Sequence, residues 1–405
     1  MKILLALTYY SPHTSGLTIY AERLARALAD RGHTVTVLTS QYDKSLPREE
    51  HLHGVNVVRV PVAFRLSKGV IMPTFGLVAW NMVRHHDVLS LHLPQFDASG
   101  LALRGRLLKK PVVLTYHCDL QLPPGLFSRI VDKVVFYSNV LAARWSDAIA
   151  SYTQDYATHS PFLSRYLDKV KVIPPPVHVS TPTAEEIAAF RDKWQLNGHR
   201  VIGFAARLAT EKGVEYVLEA LPRILEVHPT ARVLFAGPYQ NVIGEEAYLQ
   251  RIMPLIQLYP DHWSFLGILD PHAMAAFFSN CDVTVLPSLN STESFGLVQV
   301  EGMLCGAPSI ASALPGVRQP VMMTGMGEVV PIADSTALAE AVIRVLNDRD
   351  KYVRPRSEIE ALFSTERTAE MYEQLFEELL SAKGAYESHE SANPAGRGAD
   401  GQRIS

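Results

Sequence analysis

KILLALTYYSPHTSGLTIYAERLARALADRGHTVTVL, residues 2–38, decides the architecture. Lys2–Leu7 reads as a buried strand, its apolar run Ile3–Leu7 too short for a signal segment. Tyr9–Gly16 follows as a loop of Ser, Pro and Gly. Thr18–Arg31 then has helical spacing, with Tyr20, Leu24 and Leu28 on one face. Gly32 sits where a helix end needs a left-handed residue. Thr34–Leu38 is a second strand. Strand, helix and strand over so short a stretch open a parallel sheet with crossover helices.

The pattern continues outward. Short strands are predicted at Val57–Val60, Asp87–Leu91, Val112–Thr115, Asp147–Ala150 and Val170–Ile173, with a longer helix over Pro124–Arg144. Pro174-Pro175-Pro176 can continue neither a helix nor a central strand and reads as a hinge. A second series starts at Arg200–Ala205, with strands at Arg232–Phe235, Ser264–Leu266, Cys281–Leu286 and Pro308–Ala311. Helices are predicted over Gly213–Val227, bent or stopped early by Pro222, and over Pro271–Ser279, capped by Asp270. Two more are predicted over Gly296–Cys305 and Ser335–Leu346. Glu358–Ser381 reads as one amphipathic helix, and the tail from Gly384 as disordered. The fold class is α/β, with two doubly wound units in 405 residues.

Composition narrows the function. The formal charge of −3 gives no ground for nucleic-acid binding. Cys118, Cys281 and Cys305 form no CxxC pair, so neither a disulfide framework nor a structural zinc site is expected. No segment reaches the ~20 apolar residues of a membrane span. The P-loop pattern is absent, and no complete GxGxxG follows the first strand. His85-His86 and the His51/His53 pair read as surface residues.

Chemistry concentrates at predicted strand ends, where the ligand crevice of a doubly wound sheet lies. After Cys281–Leu286 comes STESFGLVQVEGM, residues 291–303. Gly296 would open the helix there. The amides of Phe295, Gly296 and Leu297, beside Ser294, would then face a phosphate. Glu293 and Glu301 can accept hydrogen bonds from vicinal hydroxyls. Val298, Val300, Met303 and Leu304 surround Glu301 with apolar residues, so its charge needs a partner. After Arg200–Ala205 come Arg207 and Lys212, a fork and a point charge suited to a diphosphate. His117 ends the strand Val112–Thr115 and would face the cleft, although a lone histidine also serves structural ends. Gly16 would admit a close ligand or serve as a plain loop glycine.

Together these stretches resemble the family 4 glycosyltransferases, over most of residues 1–380. Glu293…Glu301, continued by Met303-Leu304-Cys305-Gly306-Ala307-Pro308, carries most of the likeness. Arg207…Glu211-Lys212-Gly213, His117 and Gly16…Arg31-Gly32-His33-Thr34-Val35 add to it. The first loop departs from the family with Ser15-Gly16 in place of a double glycine, and Pro315-Gly316-Val317-Arg318 replaces a Gly-Gly loop.

The resemblance implies the GT-B fold and retaining transfer of a hexosyl group from a UDP- or GDP-sugar to a hydroxyl of a glycan or lipid-linked acceptor. Envelope polysaccharide or glycolipid assembly is the expected setting. The nucleotide-sugar is a substrate, and no cofactor or bound metal is expected. Arg207 and Lys212 would bind the diphosphate, Glu301 the ribose and Glu293 the donor sugar, with His117 near the transferred group. Gly16, Ser294, Phe295, Gly296 and Leu297 would line the donor site.

The expected division is an acceptor-side domain at 1–178, a linker at 179–198 and a nucleotide-sugar domain at 199–355. A helix at 356–383 would return to the first domain, followed by a tail at 384–405. A nucleotide-sugar epimerase and a non-catalytic binding subunit are the rival readings. A cytoplasmic enzyme is expected. Arg104, Arg106, Lys109, Lys110, Arg129, Lys133 and Arg144, with Leu126, Phe127, Ile130 and Val134 among the last of them, would allow contact with an anionic membrane. Ordinary solvated helix faces explain the same residues.

Overall fold

The computed structural model describes residues 1–66, 69–119, 126–242 and 244–384. The tail beyond Gly384 and the side chains of Leu126, Phe127, Arg129 and Ile130 lie outside the described residues.

The first half supplies β1 (Lys2–Ala6), β2 (Thr34–Gln41), β3 (Glu49–Leu52), β4 (Val55–Pro61), β5 (Phe64–Leu66), β6 (Gly69–Ile71), β7 (Val88–Leu93), β8 (Val112–Tyr116), β9 (Ala148–Ser151) and β10 (Val170–Val172). Its helices are α1 (Gly16–Asp30), α2 (Phe75–His85), α3 (Ala98–Leu107), α4 (Leu126–Trp145) and α5 (Gln154–His159). An eight-stranded sheet runs β10-β9-β8-β7-β1-β2-β4-β3. Every neighbouring pair in it is parallel except β3 on β4. β5 and β6 pair with each other as a separate ribbon. All six residues of β7 are buried, as a central parallel strand covered on both faces requires. Ser15 caps α1 through its hydroxyl, and Gly32, at φ +89°, lets the chain turn back into β2.

The second half supplies α6 (Ala184–Lys193), β11 (Arg200–Ala205), α7 (Val214–Val227), β12 (Ala231–Ala236), α8 (Glu246–Ile256), β13 (Trp263–Gly267), α9 (Pro271–Ser279), β14 (Val283–Leu286), α10 (Leu297–Leu304), β15 (Ser309–Ser312), α11 (Gln319–Thr324), β16 (Gly327–Val330) and α12 (Ser335–Asn347). Its sheet is parallel throughout and runs β13-β12-β11-β14-β15-β16. β11 and β14 lie side by side at its centre, so the loops that follow them open at one edge of the sheet.

α13 (Arg356–Phe363) and α14 (Thr365–Ala382) then return to the first half. Tyr372 Oη lies 2.8 Å from both Tyr20 Oη of α1 and Thr115 Oγ1 of β8. Glu373 accepts from Arg31 and meets His33 at 2.8 Å, and Lys383 pairs with Asp147 at 2.7 Å. One apolar cluster joins Ile3, Leu24 and Val57 to Tyr372 and Phe376, and reaches Phe295 just before α10 and Met303 on it.

Several expectations are corrected. Pro222 does not stop α7, which runs on to Val227. Glu358–Ser381 is two helices, because Ser364 leaves the helical region and caps α14 through its hydroxyl. Residues 179–198, read as a linker, carry α6. Its start is a capping box between Thr183 and Glu186, and its Phe190 packs against Phe277 of α9. His86, read as a surface residue, is buried with Nδ1 on the Met82 carbonyl at 2.6 Å.

Candidate functional site

β14 ends at Leu286, and residues 287–296 lead the chain to a last turn into α10. Gly296 makes that turn at φ +80°; a Cβ there would stand 2.3 Å from Leu286 Cδ2. α10 starts at Leu297, so its first amides lack intrahelical acceptors and carry the positive end of the helix dipole. After β11, the chain makes a tight turn at Thr210–Lys212 and reaches Gly213 at φ +66°. A Cβ on Gly213 would stand 2.3 Å from the Pro287 carbonyl oxygen. That close approach lays the Lys212 loop directly on the loop after β14.

The consequence is an ion pair between two predicted site residues. Lys212 Nζ donates to Glu293 Oε2 at 2.6 Å, with the side chains 16% and 19% exposed. Arg207 does not join them. It pairs with Glu211 and keeps 42% of its side chain exposed. Glu301 has the partner its apolar helix demands, and that partner comes from the other half: Arg23 of α1 donates to Oε1 at 2.9 Å.

His117 is placed differently from expectation. Its imidazole points inward rather than into the cleft, and the residue is 5% exposed. Nε2 lies 2.9 Å from His92 Nδ1, and Nδ1 is hydrogen-bonded to the Tyr152 hydroxyl. Burial, followed by the neighbouring His92, lowers the His117 pKa; burial lowers that of His92 to about 3. Both rings are therefore neutral at neutral pH. The part of His117 that meets the second half is its carbonyl, which accepts from Ser294 Oγ. Cys118 lies by the ion pair. Burial pushes its thiol up to about 12; Glu293 and Asp119 add to the shift and Lys212 opposes it. Gly16 occupies the first position of α1, and a Cβ there would meet nothing.

Further contacts close the cleft. Asp155 of α5 accepts from the Gly316 amide at 2.9 Å and from Arg318 Nε and Nη2 at 2.9 and 2.6 Å. Gly316 stands at φ +81°, where a Cβ would lie 2.1 Å from the Ser294 carbonyl oxygen. Phe295 is buried edge-on to Tyr152 of the first half. Beside these contacts lies a cavity of about 1000 Å³. Its walls include Ala205 at the end of β11 and Ala206 after it, Gly237 after β12, Ile268 and Leu269 after β13, and Arg23 and Glu301.

The sequence reading missed Arg23, Asp155, Arg318, His92 and Tyr152. Arg23 carried a faint signal, since α1 repeats charge at Glu22, Arg26 and Asp30 on the face that lines the cavity. The cross-cleft pairing of Asp155 with Arg318 left none, because the two are 163 residues apart.

Among the described residues no helix is long and apolar enough to cross a membrane, and no three His, Cys, Asp or Glu side chains gather as a metal site.

Known proteins resemble this chain over both halves. A family model described as Glycosyltransferase Family 4 matches residues 14–181, and one described as Glycosyl transferases group 1 matches residues 186–361. An uncharacterized glycosyltransferase of Methanocaldococcus jannaschii is 27% identical over 86% of this chain and 90% of its own. The phosphatidyl-myo-inositol mannosyltransferase of Mycolicibacterium smegmatis is 27% identical over 88% of this chain and 89% of its own. Among solved structures, sucrose-phosphate synthase from Thermosynechococcus elongatus superposes with TM-score 0.74 at 23% identity, over 94% of this chain and 99% of that one. Anabaena HepE in complex with UDP-glucose gives 0.73 at 20% identity, over 94% and 100%. With one family model on each half and structural neighbours spanning nearly the whole chain, the chain belongs to the family 4 glycosyltransferases and is a glycosyltransferase of the GT-B fold.

Proposed function

We propose that the enzyme transfers a hexosyl group, with retention and without a bound metal, from a UDP- or GDP-sugar to a hydroxyl of a glycan or lipid-linked acceptor. The observation that carries this reading is the Lys212–Glu293 ion pair beside the free amides of α10. It sets a cation and a sugar-binding carboxylate at one strand edge. The diphosphate takes its charge stabilisation from Lys212, from Arg207 and from the amides of Phe295, Gly296 and Leu297. Ser294 shapes the same loop. Glu293 accepts hydrogen bonds from donor-sugar hydroxyls, and Glu301, in the cavity wall, accepts from the ribose.

Bond breaking at the anomeric carbon puts negative charge on the departing phosphate, and Lys212 with the amides at the start of α10 takes it up, joined by Arg207 once it leaves Glu211. No side-chain nucleophile is assigned below the sugar. The acceptor hydroxyl attacks on the face the phosphate leaves, and its proton passes to the phosphate oxygen. His117 supports that site as a positioning residue, since its ring nitrogens are already engaged by His92 and Tyr152.

Relatives named for phosphatidyl-myo-inositol and for D-inositol 3-phosphate support a hydroxyl-bearing, phosphorylated or lipid-linked acceptor. A cytoplasmic enzyme resting on the inner face of a membrane fits that chemistry. Tyr137 and Val134 of α4 and Leu107 of α3 are exposed, and Arg106, Lys109 and Lys133 stand on the same two segments. Co-sedimentation with anionic liposomes tests this contact.

The main test is a thermal-shift screen against UDP-, GDP- and ADP-sugars, followed by product analysis with donor alone and with acceptors. A ligand that binds only the folded enzyme raises the melting temperature. A flat response to all three donors removes the reading. A new sugar formed from donor alone replaces transfer with epimerisation.

A further inference from the structure

Arg23 has no part in the roles assigned so far, yet it stands where three structural elements meet. From α1 its guanidinium donates to the Pro176 carbonyl at 3.3 Å, to the His178 carbonyl at 3.0 Å and to Glu301 Oε1 at 2.9 Å. Pro176 and His178 belong to the strand of chain that passes from the first sheet to the second. Glu301 is on α10, and both Arg23 and Glu301 line the large cavity. The two side chains are 21% and 15% exposed, so the pair is largely removed from water.

Its chemistry is specific. A carboxylate has about four acceptor sites on two oxygens. Arg23 occupies Oε1, and among the described residues Oε2 takes no protein donor, so that oxygen stays free for a ligand's hydroxyls. A long acidic side chain on a helix surface otherwise turns among rotamers, and fixing it at the moment of binding costs affinity. A guanidinium held by two main-chain carbonyls fixes it beforehand, and holds it only while the connecting segment keeps this position.

We infer that Arg23 is a positioning residue for the donor: it presents the Glu301 carboxylate to the ribose diol and ties nucleotide affinity to the closed arrangement of the two halves. The inference rests on the proposed binding of a nucleoside diphosphate at this site. It goes further in assigning part of the donor's affinity to the acceptor-side half, through a residue that acts by holding Glu301.

The test compares UDP and GDP with their 2′-deoxy counterparts by calorimetry, on wild type, R23Q, R23K and E301Q. Wild type binds the ribonucleotide better than the deoxy form, and E301Q loses that preference. R23Q weakens ribonucleotide binding by about tenfold, the loss expected for one charge-assisted hydrogen bond. It brings the ribo and deoxy forms within about twofold of each other, while R23K falls between. A residue that merely stabilises the fold lowers the melting temperature of R23Q and leaves the ribose preference intact; that result overturns the inference and spares the functional reading. If R23Q fails to fold, R23K decides, with wild-type discrimination counting against the inference. Wild type that binds neither nucleotide overturns both.

Discussion

Replacing Asp155 by Asn tests how the cleft is held shut before any ligand arrives. The Asp155 carboxylate is 14% exposed and takes three donors from the second half: the Gly316 amide and two nitrogens of Arg318. An amide can still accept one of these bonds. What is lost is the charge assistance on a bidentate guanidinium contact, worth about 1.5–3 kcal/mol for each such bond. Arg318 is 28% exposed and can return to water, which offsets part of that. A net cost of about 2 kcal/mol follows, or about 30-fold in the balance between closed and separated halves. Small-angle scattering of the unliganded enzyme reads that balance: D155N should give a larger radius of gyration at unchanged helix content. The effect has a pH signature. Burial raises the Asp155 pKa, but the Arg318 and Gly316 hydrogen bonds outweigh it and leave the folded value below the usual one. The contribution is therefore complete above about pH 4 and fades as pH falls through the folded value. The difference between wild type and D155N should hold from pH 7 to 5 and shrink in more acid solution. Superimposable scattering at pH 7, or additive losses in a double-mutant cycle with R318M, would refute the clamp.

Three other outcomes are expected. K212A and E293Q should each lower turnover by about two to three orders of magnitude, as loss of a preorganised charge does; rates within threefold of wild type, in an enzyme that still folds, remove both from the chemistry. G316A places a Cβ 2.1 Å from the Ser294 carbonyl oxygen and forces a left-handed alanine, which alone costs about 1–2 kcal/mol. Its melting temperature should drop by several degrees, and an unchanged melt would mean that the Ser294 and Gly316 loops do not touch. Y372F removes the hydroxyl shared by Tyr20 and Thr115 and leaves both buried without it. A loss of about 1–3 kcal/mol in chemical denaturation is expected, and a loss under a few tenths would show that α14 is held by its apolar face alone.

The fold was legible because its signals are local. Each parallel strand is a short apolar run, each crossover helix repeats its apolar face, and Gly32 marks a helix end by its backbone demand alone. The errors share a cause. Ser364 breaks the last amphipathic stretch into two helices, although the apolar spacing passes over it without a gap. Pro222 is tolerated inside a helix whose neighbours Ala220, Leu221 and Ile224 are buried, so packing overrides a local preference. α6 carried a readable capping box in Thr183 and Glu186, which the proline-rich surroundings obscured. The site divides in the same way. Glu293 and Lys212 were each legible as residues just past a predicted strand, and they meet because β11 and β14 are adjacent and both their loops open on one edge. The pairing of Arg23 with Glu301 was not legible, because no pattern within either half reports which side chains face across the gap.

His117 shows the difference between a motif and a mechanism. The sequence marks it as a polar residue at a strand end above a cleft, and that marking is correct for its backbone. Its carbonyl meets Ser294, the residue after Glu293 in the loop that follows β14. A carbonyl contact by itself places little demand on the side chain. The demand comes from beneath. The imidazole bridges His92 on β7 and Tyr152 just past β9, the strands on either side of its own. A buried ring with an acceptor and a donor nitrogen satisfies both partners, which an apolar side chain cannot do without leaving a polar group unpaired. The residue thus fixes the ends of three adjacent strands together, and the cleft wall that Ser294 meets is only as rigid as that bridge.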